Sequence, residues 1–155
     1  MKRIVSATAV TLLFAFAGAA NAQPSGSETI TTTLFFPSFP SKAPFVGTYS
    51  GTFSASGTVS DAGTVTAQAR FGAVPSPATG VLQTVRTLRG GNGTLTLRCT
   101  QRTPPNQATT VVSNTGSCVV LEATGAYAGL RGSGSLTGTT DFGATPVTIQ
   151  DTLVL

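Results

Sequence analysis

GTYSGTFSASGTV, residues 47–59, alternates between two kinds of side chain. Glycine or an apolar residue occupies one set of alternate positions, and threonine or serine occupies all of the other. A two-residue period with one apolar face and one hydroxyl face is typical of a β-strand that buries one side. This stretch therefore predicts a half-buried strand, and the rest of the chain can be compared with it.

The same pattern continues toward the middle of the chain. A turn at residues 60–63 precedes a second alternating strand at 64–71, where Val, Ala and Phe alternate with Thr, Gln and Arg. A third strand is predicted at 81–88, with a less regular pattern. The Asn-Gly pair at 92–93 favours a tight hairpin. Alternation resumes at residues 94–100.

The second half of the chain shows the same pattern of short strands separated by turns. Apolar runs at 109–113 and 117–123 are separated by Asn-Thr-Gly at 114–116, and further strands are predicted at 135–142 and 146–155. We count seven or eight strands and no amphipathic helix. Short strands at regular spacing predict an all-β sandwich or a closed barrel. Glycines inside strands favour the barrel, because they mark the tight bends that closure requires.

The first 22 residues have the features of an export signal. A basic Met-Lys-Arg head is followed by an apolar stretch and a small-residue exit, which places cleavage between Ala22 and Gln23. The alternative is a membrane anchor, but the apolar stretch is slightly shorter than the roughly 20 residues of a spanning helix. We therefore expect a signal peptide at 1–22 and a secreted or periplasmic protein, with the final compartment left open.

Residues 23–45 differ in composition from the rest of the chain. They are rich in proline and contain four phenylalanines, so we expect a leading strand at 29–36, or an extended arm, followed by an irregular segment. Four phenylalanines are too apolar to remain in water, and the arm should dock on the body of the protein. The remaining residues, 46–155, are expected to form the β-barrel domain.

Composition excludes several classes of function. The 155-residue chain is only 9% charged and contains no histidine, which excludes His-based catalytic triads and His-ligated metals. Without the leader, seven basic residues face five acidic ones, a net charge of +2. The basic residues are scattered, whereas nucleic-acid binding uses a clustered basic patch. We expect no metal, no cofactor, no nucleic-acid partner and no stable membrane insertion.

Two cysteines, Cys99 and Cys118, lie in neighbouring predicted strands. Export to an oxidising compartment makes a disulfide the default expectation. If the two strands pair as a hairpin, the cysteines face each other. The alternatives are a redox-active pair or two free thiols, although the spacing does not resemble Cys-x-x-Cys.

Residues 123–134 read Ala-Thr-Gly-Ala-Tyr-Ala-Gly-Leu-Arg-Gly-Ser-Gly. This stretch resembles the Gly-Thr-Gly-x-aromatic-x-Gly-x-x-Gly turn of the allene oxide cyclase and dirigent superfamily, with Ala123 departing from the pattern. The stretches 47–59 and 93–97 are also similar to small bacterial members, so the resemblance covers residues 46–155. The matching turn positions are Thr124, Gly125, Tyr127, Gly129, Leu130, Gly132 and Gly134.

The resemblance implies an eight-stranded antiparallel barrel that holds an apolar small molecule in its interior. Members of the superfamily include a cofactor-free cyclase acting on a fatty-acid epoxide and plant proteins that steer radical coupling. Several assemble as trimers, so a homo-oligomer is compatible with the resemblance. For Tyr127 we expect a structural role, with its ring buried and its hydroxyl bonded to the backbone.

Two carboxylates fall on apolar strand faces, Glu122 beside Cys118 and Asp151 between Ile149 and Leu153. If both faces point inward, they could form a polar centre with Arg98 or Arg86, able to polarise a small ligand. The alternative is a structural ion pair, or a register in which both carboxylates point outward.

The other three carboxylates are less informative. Asp61 and Asp141 sit beside turns and are expected to be turn residues, and Glu28 lies in the proline-rich segment.

Three functions remain open from the sequence. The first is an exported barrel that binds an apolar small molecule in its lumen without chemistry of its own. The second is a cofactor-free cyclase or isomerase with Glu122, Asp151 and Arg98 as candidate catalytic residues. The third is a small outer-membrane or surface structural barrel.

Overall fold

Eight antiparallel strands close into a barrel, which confirms the all-β prediction. The computed structural model describes residues 27–37, 46–71, 80–103 and 109–155. The expected signal peptide and its cleavage site at Ala22 and Gln23 lie outside these residues. The strands are β1 (Thr29–Phe36), β2 (Val46–Ser56), β3 (Asp61–Phe71), β4 (Gly80–Gly90), β5 (Thr94–Thr103), β6 (Val111–Ala123), β7 (Ser133–Asp141) and β8 (Val147–Val154).

The barrel is closed by the pairing of its first and last strands. Each strand pairs with the next in sequence, and β1 also pairs with β8, with Ile30 opposite Leu153 and Leu34 opposite Ile149. Closure leaves no unpaired edge. The strand expected at residues 29–36 is therefore part of the barrel, which begins before the boundary at residue 46 that the sequence suggested. The composition of 23–45 obscured this, because prolines follow the strand closely.

The two-residue period sorts side chains between the interior and the outside. In β2, Tyr49, Phe53 and Ala55 are buried, whereas the intervening serines and threonines are exposed. Burying a side chain the size of Phe or Leu stabilises a fold by about 1.5–3 kcal/mol. One phenylalanine of the proline-rich segment, Phe36, packs against Tyr49 with ring centroids 4.3 Å apart.

Strand β6 is continuous, contrary to the break predicted at residues 114–116. The prediction took Asn-Thr-Gly as a loop signal. Asn114 instead points into the barrel, where its side-chain amide donates to the Thr140 hydroxyl at 2.7 Å. Gly116 is also placed close to the neighbouring strand, since an added Cβ would meet the carbonyl oxygen of Thr100. A polar residue and a glycine are thus accommodated within one 13-residue strand.

The disulfide expectation is confirmed. Cys99 and Cys118 are directly opposite in the β5–β6 ladder, and their sulfur atoms are bonded. Both residues are fully buried in the core. The bond joins positions 19 residues apart in the sequence.

Replacing both cysteines with alanine should lower the free energy of unfolding by about 3 kcal/mol, because the cross-link restricts the unfolded chain. Urea unfolding of the oxidised protein, the reduced protein and the double variant measures this. The reduced protein and the variant should both unfold at lower urea than the oxidised protein. Identical midpoints for all three would contradict the stabilising role.

Candidate functional site

Five polar side chains meet inside the barrel, and we call them the interior polar cluster. Its members come from four strands, although neighbouring inward positions are apolar. They are Thr32 of β1, Thr84 and Arg86 of β4, Gln101 of β5 and Asp151 of β8, all at most 4% exposed. The barrel therefore encloses a charged pair in an otherwise largely apolar interior.

Arg86 and Asp151 form the ion pair of this cluster, with Nη2 2.7 Å from Oδ2. The Nη2 group also donates to Gln101 Oε1 at 2.8 Å, and Gln101 Nε2 donates to Asp151 Oδ1 at 2.8 Å. The three side chains thus form a closed triangle. As an ion pair, the guanidinium and the carboxylate carry no net charge between them.

Two hydroxyl groups complete the surroundings of the guanidinium. Arg86 Nε donates to Thr84 Oγ1 at 3.1 Å, and Nη1 donates to Thr32 Oγ1 at 3.3 Å. Taking two charges out of water costs several kcal/mol per ion, and hydrogen bonds of this kind offset part of that cost. The cluster is therefore held in one arrangement by contacts from β1, β4, β5 and β8.

The carboxylate of Asp151 fits because the residue opposite it is a glycine. Gly138 of β7 faces Asp151 across the β7–β8 ladder. A Cβ at position 138 would collide with the Asp151 carboxylate and with the backbone of β8. Gly138 therefore provides the space that the ion pair occupies.

Burial acts on the titration of two groups at this centre. It raises the pKa of the Asp151 carboxyl above its ordinary value, against the opposing effects of the Arg86 guanidinium and the Gln101 amide. Burial likewise raises the pKa of the nearby Tyr49 hydroxyl, and the charge of Arg86 partly counteracts it. Tyr49 therefore remains a neutral phenol across the physiological range.

Of the candidate catalytic residues, only Asp151 points inward. Glu122 is exposed on the outside of the barrel. In the β5–β6 ladder Leu97 is opposite Val120 but Thr96 is opposite Glu122, so Leu121 is an extra residue. This bulge shifts the alternation by one position and turns Glu122 away from the face of Cys118.

Arg98 also lies on the outer wall, because it alternates with the inward residues Leu97 and Cys99. The structure therefore does not bring Glu122, Asp151 and Arg98 together. The inward arginine is Arg86, the other one that the sequence suggested.

Sequence reasoning missed Thr32, Thr84 and Gln101 as members of the cluster. In β4 the usual polarity is reversed, since Thr84 and Arg86 point inward while Val85 is 41% exposed. A period of two gives the two faces of a strand but does not say which one is inside. The sign that could have found the cluster is the irregular alternation of residues 81–88.

The turn that carried the family resemblance is attached to the neighbouring β4–β5 hairpin. Thr124 donates its backbone N–H to the Thr94 carbonyl at 2.9 Å and accepts from the Thr94 N–H through its hydroxyl at 3.1 Å. Ala126 N–H donates to the Asn92 carbonyl at 2.8 Å. Gly125 has φ +60°, a left-handed conformation that favours glycine.

The remaining positions of the turn shape the same end of the barrel. Tyr127 and Leu130 are buried and join the hydrophobic core, Gly132 has φ +95°, and Gly134 lies inside β7. Gly129 is half-buried beside them. These residues serve the fold, in line with the structural role expected for Tyr127.

The Tyr127 hydroxyl donates to Asp61 Oδ2 at 3.1 Å, a side chain rather than the backbone partner that was expected. Asp61 also accepts from the backbone N–H groups of Ala62, Gly91 and Asn92 at 2.9–3.2 Å. Partial burial favours a higher pKa for Asp61, but these hydrogen bonds outweigh it and hold the pKa below its usual value. Asp61 thus links two hairpin turns to the Tyr127 turn.

A second turn carboxylate behaves as the sequence suggested. Asp141 Oδ1 accepts from the backbone N–H groups of Gly143 at 2.8 Å and Ala144 at 3.2 Å. The two N–H groups lie in the β7–β8 connection, so Asp141 is a turn residue like Asp61.

The outer wall carries a groove over β2, β3, β4 and β5, with a cavity volume of about 390 Å³. We call it the outer groove. In the strand register Gln68, Val85 and Arg98 form one row, and Val46, Arg70 and Gln83 form the next. All six residues line the groove, together with the buried Ala69 and Thr84 that lie between them on β3 and β4. Arg98 therefore lies in an accessible groove on the outer wall. It does not lie in the interior polar centre that the sequence suggested.

Among the described residues, no acidic side chain lines the outer groove. The five carboxylates of the chain lie elsewhere, and within the described residues neither Arg70 nor Arg98 has an ion-pair partner. Two unpaired guanidinium groups give this part of the wall a positive potential that attracts anions.

The described part of the chain contains no group of three His, Cys, Asp or Glu residues arranged to hold a metal ion. It also contains no helix with the length and hydropathy needed to cross a bilayer. Comparison with protein-family models, curated proteins and solved structures gives no match to this chain.

Asp151→Asn should lower the free energy of unfolding by about 3–5 kcal/mol, because it leaves the buried Arg86 charge without a counter-ion. The double substitution Arg86→Met and Asp151→Leu should recover most of the lost free energy of unfolding, because it removes both buried charges. Glu122→Gln, on the outer surface, is the matched control and should unfold like the wild type. Urea unfolding at pH 7 measures all four proteins. Equal stability of Asp151→Asn and Glu122→Gln would show that the ion pair does not support the fold.

The lowered pKa of Asp61 stabilises the folded protein above about pH 4, the ordinary pKa of an aspartate. This stabilisation is lost as the pH falls through the folded-state pKa, when the carboxylate takes up a proton. Asp61→Asn should therefore be less stable than the wild type at pH 7, and the difference should shrink below pH 4. Thermal unfolding at a series of pH values tests this. A difference that does not depend on pH would exclude the carboxylate charge as its cause.

Proposed function

We propose that the protein is an exported binding protein that holds a small molecule in the outer groove and performs no chemistry of its own. The outer groove is the observation that carries this proposal. Its volume lies within the range of roughly 300–1,000 Å³ that small-molecule sites occupy. Two exposed valines and several polar side chains line it, so one concavity offers both apolar contact and hydrogen-bond donors.

The packing of the interior favours the outer groove over the lumen as the binding site. Tyr49, Arg86 and Leu97 are among the largest inward side chains, and each is at most 2% exposed. Side chains this deeply buried fill the space that a ligand in the lumen would need. Binding in the lumen, as the family resemblance implies, would require them to move aside.

Export is supported by the basic and apolar leader and by the disulfide, since disulfides persist in oxidising compartments. Polar outward residues on β1, β2 and β8 are suited to an aqueous compartment outside the cytoplasm. Thr31 lies between Ser54 and Thr152 in one row of hydroxyl side chains across these strands. A lipid-facing barrel wall is apolar instead, so this row of hydroxyl side chains argues against the outer-membrane alternative.

Kinship with the allene oxide cyclase and dirigent superfamily is part of the proposal. An eight-stranded barrel and a glycine-rich turn built around a buried Tyr127 agree with it. The trimeric assembly seen in several members belongs to the same proposal.

A cofactor-free cyclase or isomerase is the second candidate function. The observation in its favour is that Asp151, Arg86 and Tyr49 bring a carboxylate, a guanidinium and a phenol together in the interior. Such groups can polarise a ligand and transfer protons. Their burial is the objection, since a substrate would have to reach a sealed cluster whose polar groups already bind one another.

The binding proposal can be tested by filling the groove. Val85→Trp places a large ring in the outer groove. The control, Val154→Trp, places the same ring on β8, on the opposite wall of the barrel and outside the groove. The two valines are equally exposed, at 41% and 42%. Native mass spectrometry of the exported protein, isolated without detergent, should detect a bound small molecule in the wild type and in Val154→Trp.

Val85→Trp should lose this additional mass while keeping the fold. A ligand that remains bound to Val85→Trp would place the binding site elsewhere, with the lumen as the first alternative. A wild-type protein that never carries a ligand would contradict the proposal itself.

A further inference from the structure

The outer groove contains cations and apolar surface together, on adjacent rows of the barrel wall. Arg98 of β5 lies in the row of Val85, and Arg70 of β3 lies in the next row beside Val46. Val46 is 53% exposed and Val85 is 41% exposed, so the groove presents apolar surface to the solvent beside the two guanidinium groups. The two kinds of side chain line one concavity.

The two arginines flank a single strand. Arg70 and Arg98 lie on β3 and β5, which both pair with β4. Neighbouring strands are about 4.8 Å apart, so the two backbones are separated by roughly 10 Å across β4. Two arginine side chains extending over β4 can reach one group held between them. The apolar side chain between them is Val85.

The charge of the groove is not balanced within the protein. All five carboxylates are accounted for elsewhere: Asp151 pairs with Arg86, Asp61 and Asp141 bond to turns, Glu28 is buried and Glu122 lies beside the β6 bulge. A guanidinium presents several N–H donors in a planar fork that suits carboxylate, sulfonate and phosphate groups. An anion from outside the chain is therefore the complementary partner.

Resting on the proposed binding function, we propose that the ligand is a small organic anion with an apolar body. Its oxyanion binds between Arg70 and Arg98, with the Gln68 and Gln83 side-chain amides as further donors. Its apolar part lies over Val46 and Val85. Neither feature alone would suffice, because an inorganic anion leaves the valines exposed and a neutral apolar molecule leaves the guanidinium groups without a partner.

Two fluorescent probes that differ by one charged group test this ligand class. Anilinonaphthalene sulfonate has an aromatic body and a sulfonate, and N-phenylnaphthylamine has the same body without the sulfonate. The wild-type exported protein should bind the sulfonate probe more tightly than the neutral one. Added salt should weaken binding of the sulfonate probe only, because screening acts on the charge interaction.

Arg70→Gln and Arg98→Gln should each weaken binding of the sulfonate probe by roughly three- to tenfold, as expected for one charge-assisted hydrogen bond at a partly screened site. Binding of the neutral probe should not change. The matched control is Arg89→Gln, which removes an outward arginine from β4 that does not line the groove. Circular dichroism and the unfolding midpoint check that each variant remains folded.

The outcomes separate this inference from the function on which it rests. If both probes bind equally and the arginine variants change nothing, while Val85→Trp abolishes binding, the groove binds ligands but the anion assignment is wrong. If Val85→Trp changes neither probe, both the groove and the anion assignment are wrong. If Arg89→Gln weakens binding of the sulfonate probe equally, the probe responds to the overall charge of the protein. This would also overturn the assignment.

Discussion

The pairing of β1 with β8 is the constraint on which the rest of the structure depends. It turns a row of hairpins into a closed wall with a defined interior and exterior. Without this ladder, two strand edges would be exposed and the inward residues would have no common core. Once the wall is closed, each side chain on a regular strand lies inside or outside according to its position in the two-residue period. Ile30 and Leu34 of β1 reach the core in this way.

Closure also explains why a charged pair can exist in the interior. Arg86 and Asp151 lie on β4 and β8, which no hairpin connects, and only the curvature of the wall brings them together. An isolated charge there would be strongly destabilising, so the pair, Gln101 and the two threonines have to be present together. A buried network of this kind favours one arrangement of the strands over shifted registers, in which Arg86 would lose its partners.

The sequence predicted the parts of the structure that depend on local pattern. Alternation in β2 identified the buried faces of Tyr49 and Phe53, and the two cysteines were placed opposite each other. The errors came from features that alternation cannot show. A bulge at Leu121 moved Glu122 to the outside, and the reversed polarity of β4 hid Thr84.

The outer groove could not be predicted for a related reason. Its residues come from four strands, and their proximity depends on the register between strands, which the sequence pattern does not specify. Nothing in the sequence links Arg70 with Arg98, which was itself considered for the interior, and only the folded wall brings both into one groove. Asp151 was placed on an apolar face because its strand keeps a regular period from Ile149 to Leu153, and only the structure shows that this face points inward.

The order of the strands has a consequence for how the chain folds. Strand β1 pairs with β8, the strand most distant from it in the sequence, and Glu28 and Leu155 extend this pairing with two backbone hydrogen bonds. Long-range pairing of this kind requires a large loop to close before any contact offsets the entropy lost, so β-rich folds of this topology form slowly and as one cooperative unit. The barrel therefore stays open until the eight residues of β8 have paired with β1, and this single ladder completes the fold.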